Sequence, residues 1–152
     1  MHDQPPFRYC LRVRYGECDQ QGVVYNARYG EYVDLASTEF LRATFAPLNC
    51  FDGTIEFQVV KLLVEWTAPA RFDDTLCIDV TLKTLGTTSY TLAFAMRRAG
   101  QAETIVTAET VNVNIEPKTW TKAPLPADFR ARLTAAARGQ VVDHGGYGTQ
   151  KG

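Results

Sequence analysis

A loop carboxylate that directly precedes a long predicted helix is the feature of this sequence best suited to chemistry. Asp19 lies in the polar segment Glu17–Gly22, and a helical apolar periodicity begins at Tyr29. The first turn of a helix has free backbone N–H groups and a partial positive charge, which can polarise a carbonyl oxygen. A carboxylate opposite these groups can act as a base for water or as a nucleophile. Acyl transfer requires both parts.

The element that must position this pair is an amphipathic helix predicted over residues 27–45. Its apolar face repeats at intervals of three and four residues and comprises Tyr29, Tyr32, Val33, Ala36, Phe40, Leu41 and Thr44. Asn26 is the predicted N-cap. Pro47 disfavours helix in the preceding residue and provides the stop signal.

Five strands are predicted around this helix, because apolar and polar residues alternate there. They cover residues 7–15, 55–67, 76–83, 90–97 and 103–115. One helix cannot cover both faces of such a sheet, so we expect an α+β fold in which an antiparallel sheet curls round the helix. The exposed edges and the uncovered face favour self-association about a two-fold axis.

The C-terminal part of the chain is predicted to contribute little beyond one short helix. Pro126 is its predicted first residue, and Phe129, Leu133 and Ala136 share a face. The glycine-rich segment 139–152 is predicted to be disordered. We therefore expect a single domain over residues 1–138.

Net charge, cysteine spacing and the lack of long apolar runs or common catalytic motifs limit the classes of function that the sequence can have. The 152 residues carry a formal net charge of -1, which gives no indication of nucleic-acid binding. The four cysteines form no CxxC pair and have no metal-ligand spacing, and no apolar run reaches the length of a signal peptide or a membrane span. These features predict a cytoplasmic protein with reduced thiols. No GxSxG, HExxH or P-loop motif is present.

The run RYGECDQQGVVYNARYGEYVDLASTEFLR, Arg14 to Arg42, resembles the signature of the 4-hydroxybenzoyl-CoA thioesterase family of hotdog proteins. That family includes bacterial acyl-CoA thioesterases of the Tol–Pal-associated and long-chain types. The matching positions are Asp19, Gly22, Val23, Val24, Tyr25, Asn26 and Tyr29. The run VKLLVEWTAPARFDDTL, Val60 to Leu76, resembles the family's second strand and turn, and the likeness covers about residues 8–116.

The resemblance implies a hotdog fold and hydrolysis of an acyl-CoA to a free acid and CoA, by a homodimer or homotetramer without a cofactor. Asp19 would be the catalytic carboxylate, as nucleophile or as general base, and the backbone N–H of Asn26 would bind the thioester oxygen. The implied substrate-binding residues are Gly22, Val24, Tyr25 and Tyr29, joined by Phe57, Gln58 and Val59 from the partner's second strand.

Histidine is not expected to take part in catalysis. Many close relatives carry histidine at the position of Asn26, so catalysis here should proceed without an imidazole at that site. His2 and His144 both lie near the ends of the chain. Asn26 can still polarise the carbonyl through its backbone N–H.

Several alternatives stay open at this stage. The same site can act on an acyl-carrier-protein thioester, or the chain can bind acyl-CoA without hydrolysing it. The acids on the helix, Glu31, Asp34 and Glu39, are rivals to Asp19, whereas Glu56 and Glu65 alternate in a strand and suit surface positions. Arg71, Arg97 and Arg98 are candidates for the CoA phosphates. The aromatic residues near the pocket suit a benzoyl and a fatty acyl group equally.

Overall fold

The computed structural model describes residues 3–149, and one long helix packs against one curved sheet. The elements follow the predicted order, with β1 and α1 first and four long strands after them. Their bounds are β1 Phe7–Arg12, α1 Arg28–Phe45, β2 Glu56–Trp66, β3 Thr75–Leu85, β4 Ser89–Arg98, β5 Val106–Glu116, β6 Thr121–Lys122, α2 Ala127–Ala135 and β7 Val141–Asp143.

The sheet has the strand order β2-β5-β4-β3-β1-β7, with the short β6 paired to β5. All pairs between the five long strands are antiparallel, and the register of β2 against β5 shifts between Val59 and Lys61, as at a β-bulge. Because β2 pairs only with β5, its other side is an open edge of the sheet. The expected five-stranded antiparallel sheet round a central helix is confirmed, with two short strands added.

The core lies between α1 and the concave face of the sheet. Most of the predicted apolar face of the helix is buried, with Tyr29, Tyr32, Val33, Ala36, Phe40 and Thr44 each at most 7% exposed, whereas Leu41 is only partly buried. Phe40 packs edge to face on Phe7 of β1, with ring centroids 5.7 Å apart. Burial of this face fixes the rotation of α1 and therefore the place of its N-terminus.

Two local predictions of helix ends differ from the structure. Ala27, and not Asn26, is the N-cap of α1, and no side chain caps this end. Pro126 is the N-cap of α2, so the helix begins one residue later than predicted. Because one hydrogen bond decides each of these positions, propensity alone does not resolve them.

The glycine-rich segment beyond Gly139 is ordered in the structure as far as it is described. Val141–Asp143 forms β7, which pairs in parallel with β1. His144 donates its backbone N–H to the Cys10 carbonyl at 2.8 Å. Gly145 packs so tightly against Thr75 and Leu11 that a Cβ there would lie 2.9 Å from the threonine methyl. Disorder was therefore the wrong expectation for residues 139–149, and residues 150–152 lie outside the described chain.

Candidate active site

Asp19 lies at the head of a tight loop between β1 and α1. Its backbone N–H donates to the Val23 carbonyl at 2.9 Å, and its carbonyl accepts from the N–H of Gly22 at 3.0 Å. Gly22 has φ +78°, a left-handed conformation that glycine adopts without strain. One carboxylate oxygen accepts the N–H of Gln21 at 2.8 Å, and the other has no partner within residues 3–149. The loop thus orients the carboxylate and leaves one oxygen available.

Two backbone hydrogen bonds hold this loop, one within the loop and one to a segment distant in sequence. Tyr25 donates its N–H to the Glu17 carbonyl at 2.9 Å, which closes the loop on itself just before α1. Val24 donates its N–H to the Ala70 carbonyl, also at 2.9 Å. The second contact links the start of α1 to the segment that follows β2, although these are distant in sequence.

The Glu17 side chain anchors the loop from inside. It is only 6% exposed, and it accepts hydrogen bonds from the Arg14 backbone N–H at 2.7 Å, the Arg14 guanidinium at 3.2 Å and the Tyr32 hydroxyl at 3.0 Å. Burial by itself raises the pKa of Glu17, but these donors outweigh it and hold the pKa below its ordinary value. Conversely, burial and the neighbouring Glu17 carboxylate raise the pKa of Tyr32.

A cavity of about 430 Å³ opens between this loop, the start of α1 and the end of β2. It brings together five residues predicted for the site, which are Asp19, Val24, Tyr25, Asn26 and Tyr29. The Tyr29 ring is buried, its hydroxyl accepts the N–H of Ala70 at 3.0 Å, and its ring meets the Trp66 ring edge to face at 5.7 Å. Tyr29 and Trp66 therefore give this cavity one aromatic wall.

The start of α1 has unpaired backbone donors, and one of them belongs to Asn26, which lines this cavity. Helical bonding starts with the N–H of Arg28, which donates to the Tyr25 carbonyl at 2.8 Å. Within residues 3–149 the backbone N–H groups of Asn26 and Ala27 have no acceptor, and the Asn26 side chain caps nothing. Two donors at the positive end of a helix can stabilise negative charge that develops on a carbonyl oxygen.

Four predicted site residues lie elsewhere in the same chain. Gly22 borders a neighbouring cavity on Asp19. Phe57, Gln58 and Val59 lie at the start of β2, whereas the Asp19 cavity contacts its end. Phe57 packs against the rings of its own core, such as Tyr90 at 5.1 Å. Their predicted role was to close the partner's site, which a single chain leaves untested.

Sequence reasoning did not single out the opposite wall of the cavity. That wall consists of Trp66, Thr67, Ala68 and Pro69, which follow or end β2. The sequence did contain an indication of this wall, because these residues fall in the Val60–Leu76 run that resembles the family's second strand and turn. Their proximity to the start of α1 depends on the Val24–Ala70 contact, which no local pattern predicts.

The rival acids and the candidate arginines all lie outside the lining of the Asp19 cavity. Glu31 pairs with Arg28 at 3.0 Å and Glu39 with Arg42 at 3.3 Å, and neither lines the Asp19 cavity. Asp34 is exposed, and Glu65 faces a groove on the outer side of the sheet.

Arg97 pairs with Asp79 at 2.9 Å and Arg98 with Asp74 at 3.3 Å. Arg71 is exposed, and its guanidinium makes no ion pair in the part of the chain that the structure describes. Of the three arginines, Arg71 alone is free to bind a phosphate.

Neither a metal cluster nor a membrane helix is found in residues 3–149. No group of three or more His, Cys, Asp or Glu side chains there could hold a metal ion. No helix in this part of the chain is long and apolar enough to cross a membrane.

Comparison with known proteins agrees with this geometry. Residues 13–133 match the thioesterase-like superfamily. The acyl-CoA thioester hydrolase YbgC of Escherichia coli O6:H1 is 35% identical over 129 residues, which are 84% of this chain and 95% of the relative. A putative esterase of Aquifex aeolicus is 30% identical over 59% of this chain and 70% of its own length.

Solved structures show the same fold. The probable thioesterase YbaW of Escherichia coli superimposes with a TM-score of 0.74 at 25% identity, over 86% of this chain and 98% of its own. A 4-hydroxybenzoyl CoA thioesterase variant in complex with 4-hydroxybenzoyl CoA gives a TM-score of 0.74 at 19% identity, over 83% and 96%. The family match spans both the Asp19 loop and the helix that follows it, and this chain belongs to the thioesterase-like superfamily, with a hotdog fold.

Proposed function

We propose that this protein is an acyl-CoA thioesterase that uses the carboxylate of Asp19 and the backbone N–H of Asn26. The observation that carries the proposal is that Asp19 and Asn26 line one cavity, where one Asp19 carboxylate oxygen and the Asn26 N–H have no hydrogen-bond partner among residues 3–149. A thioester carbonyl placed between them would have a base or nucleophile on one side and an oxyanion donor on the other.

The reaction consists of acyl transfer to water. Either Asp19 takes a proton from water, which attacks the carbonyl carbon, or Asp19 attacks directly and water then hydrolyses the mixed anhydride. In both routes the C–S bond breaks, the thiolate leaves and takes up a proton, and the acyl group becomes a carboxylate. The negative charge on the carbonyl oxygen is greatest in the tetrahedral intermediate, where one well-placed donor is worth about 10²–10³ in rate.

The substrate class rests on the relatives as well as on the site. YbgC, which matches 84% of this chain, is named an acyl-CoA thioester hydrolase. The aromatic wall formed by Tyr29 and Trp66 suits an apolar acyl group. No cofactor enters either route, because coenzyme A is part of the substrate.

We propose further that the working form is a homo-oligomer, at least a dimer. The support is β2, an edge strand with an unusual share of exposed apolar side chains: Val59, Val60, Leu62, Leu63 and Trp66 are each at least 40% exposed. A partner that covers this strand would bury them. The cytoplasm is the proposed location, and the four free cysteines suit a reducing compartment.

The test is thiol release from short, long and aromatic acyl-CoA esters by the wild type and by Asp19→Asn. We expect turnover by the wild type and a loss of about 10²–10⁴ in kcat for the variant, the usual contribution of a positioned acid or base. Asp19→Asn keeps the side-chain shape and the acceptor for Gln21, so its unfolding midpoint should match the wild type. Glu31→Gln, which removes an exposed helical acid, is the matched control.

Other results of the same assay would each support one of the alternative functions. Equal rates for the wild type and Asp19→Asn would remove Asp19 from its role. If no acyl-CoA is hydrolysed, the same acyl groups on a carrier protein are tested next. Hydrolysis of these alone would make the carrier-protein thioester the substrate, and tight binding of acyl-CoA without turnover would make this chain a binding protein.

A further inference from the structure

Two buried thiols face each other on the side of the sheet that α1 does not cover, and neither lines the Asp19 cavity. Cys10 of β1 is paired with Cys77 of β3, and the two sulfur atoms are 2.6 Å apart. Side chains alternate along β1, so Cys10 points away from the core that Tyr9 and Leu11 enter. The hydrolysis proposed above makes no use of this pair.

The backbone geometry at the pair suits a disulfide between neighbouring strands. The carbonyl of Cys10 accepts the N–H of His144, so the backbone groups of Cys10 turn toward β7 and away from β3. Cys10 and Cys77 therefore occupy a non-hydrogen-bonded position of the β1–β3 ladder, where opposite Cα atoms lie about 4.5 Å apart. This separation falls within the range of about 4.4–6.8 Å that disulfides span.

The surroundings of Cys77 favour its thiolate form. The hydrogen bond from Cys10 and the guanidinium groups of Arg8 and Arg97 together outweigh burial and lower the pKa of the Cys77 thiol from its ordinary value. Arg97 lies directly opposite Cys77 on β4. The same hydrogen bond and burial raise the pKa of the Cys10 thiol. Cys77 is therefore the nucleophile of the pair, and Cys10 is the thiol that keeps its proton.

A short segment after β7 limits access to this face of the sheet. The Gly145 carbonyl accepts the Arg12 guanidinium at 3.1 Å, and a Cβ at Gly145 would lie 2.9 Å from the Thr75 methyl. Arg12 and Thr75 are two residues along their strands from Cys10 and Cys77 and point to the same face. The thiols are only 1% and 2% exposed, but β7 is three residues long, so this segment can open locally at small cost.

We propose that Cys10 and Cys77 form a redox-active dithiol that hydrogen peroxide converts to a disulfide between β1 and β3. The Cys77 thiolate attacks one peroxide oxygen, the O–O bond breaks, and a sulfenic acid and hydroxide form. The hydroxide takes up the proton that Cys77 had released and becomes water. The Cys10 thiol then attacks the sulfenic sulfur: the S–S bond forms, the S–O bond breaks, and the Cys10 proton leaves with the hydroxyl as a second water. The two thiols lose two electrons, and the peroxide gains them.

The disulfide would tie together the two ends of a long stretch of chain. The Asp19 loop, α1 and β2 all lie between Cys10 and Cys77 in sequence. Closing so long a loop restricts the unfolded chain and stabilises the folded one. In a reducing compartment the dithiol is the resting state, and the disulfide would form only on exposure to peroxide.

The test uses Cys18→Ala/Cys50→Ala, in which Cys10 and Cys77 are the two remaining thiols. The folded protein is treated with hydrogen peroxide, denatured, alkylated and weighed by mass spectrometry. We expect a loss of two hydrogen atoms and no alkylation, with both thiols restored by dithiothreitol. The oxidised form should unfold at a temperature about 5 °C or more above the reduced form. The wild type should show the same Cys10–Cys77 link by peptide mapping.

Two thiols that are still alkylated after peroxide, or a disulfide between two chains, would overturn the proposal. Single variants test the order of the steps. Cys10→Ala leaves Cys77 without its partner, so dimedone should trap a sulfenic acid on Cys77. Cys77→Ala should give no adduct on Cys10. Absence of the Cys77 adduct would overturn the assignment of Cys77 as the nucleophile.

Gly145→Ala tests the covering segment, because the new methyl group would lie 2.9 Å from Thr75 and 3.0 Å from the Leu11 backbone. It should displace the segment and speed disulfide formation about tenfold, since oxidation follows the population of the open form. Gly148→Ala is the matched control, where the nearest atom is an Asp143 carboxylate oxygen at an ordinary 3.6 Å. It should oxidise at the wild-type rate. Equal rates for all three proteins would overturn the role given to the segment.

Discussion

Asn26 shows how a site residue can act through its backbone. Its side chain makes no hydrogen bond within residues 3–149, although asparagine is a favoured N-cap residue. The N–H of Asn26 is nevertheless free and borders the same cavity as Asp19. If this N–H is the oxyanion donor, the identity of the side chain should matter little to the rate.

We therefore expect Asn26→Ala to keep kcat within about threefold of the wild type, because the substitution leaves the backbone donor in place. Asn26→Asp is its isosteric companion. It puts a negative charge beside the developing oxyanion and should lower kcat by about tenfold or more. The measurement is steady-state hydrolysis of the best acyl-CoA ester at neutral pH. A large loss in Asn26→Ala would show that the side-chain amide itself takes part.

At the scale of elements, Glu17 connects the Asp19 loop to the second turn of α1. The buried carboxylate accepts hydrogen bonds from the Tyr32 hydroxyl of the helix and from the Arg14 backbone and side chain, two residues beyond β1. The carbonyl of the same residue accepts the N–H of Tyr25 at the start of the helix. The position of Asp19 relative to α1 thus depends on one buried acid two residues away.

Glu17→Gln should lower the free energy of unfolding by about 1–3 kcal/mol at pH 7, the cost of weakening charged hydrogen bonds to a buried group. The folded-state pKa of Glu17 lies below its ordinary value. The ionised Glu17 carboxylate therefore contributes its full stabilisation to the folded state above the ordinary carboxyl pKa of about 4.3. This stabilisation is lost as the pH falls through the folded-state pKa. Urea unfolding of both proteins between pH 7 and pH 3 measures this, and the difference should narrow at the acid end.

Tyr32→Phe provides the matched control, since it removes one donor to Glu17 and keeps the ring in the core. It should cost less than Glu17→Gln at pH 7. A difference between the wild type and Glu17→Gln that stays constant down to pH 3 would contradict the role given to the carboxylate charge.

At the scale of the whole molecule, the two edges of the sheet differ. One edge ends in the long strand β2, whose bulged region carries Val60 at 62% exposure. The other edge ends in the three-residue β7, where Val141 is 60% exposed. A long apolar edge strand is the usual starting point for association of two chains, and a very short one is protected.

Val60→Lys should therefore shift the oligomer toward smaller species by placing a charge in the proposed interface. Val141→Lys makes the same chemical change at an equally exposed valine on the opposite edge, and it should leave assembly unchanged. Sedimentation velocity over a range of protein concentrations measures both. If the oligomer of the Val141→Lys variant dissociates while that of the Val60→Lys variant does not, the interface lies on the β7 side.

The sequence by itself determined the main elements and the family. The apolar spacing from Tyr29 to Thr44 predicted α1 to within a residue of Arg28–Phe45, and the alternation of apolar residues predicted the long strands. The string around Asp19 predicted the family, which the match over residues 13–133 confirms. These signals are local, because helix and strand periods act over a few residues and a motif is read in order.

Only the tertiary structure decided which distant segments share the site. The end of β2 meets the start of α1 because Val24 binds Ala70 and the Tyr29 hydroxyl binds the same residue, which places Trp66 opposite Asp19. The order of residues 141–143 likewise depends on a parallel pairing with β1 that the glycine content of the segment does not indicate. Such contacts join residues far apart in sequence, and their stability comes from burial and hydrogen bonding in the folded chain rather than from local propensity.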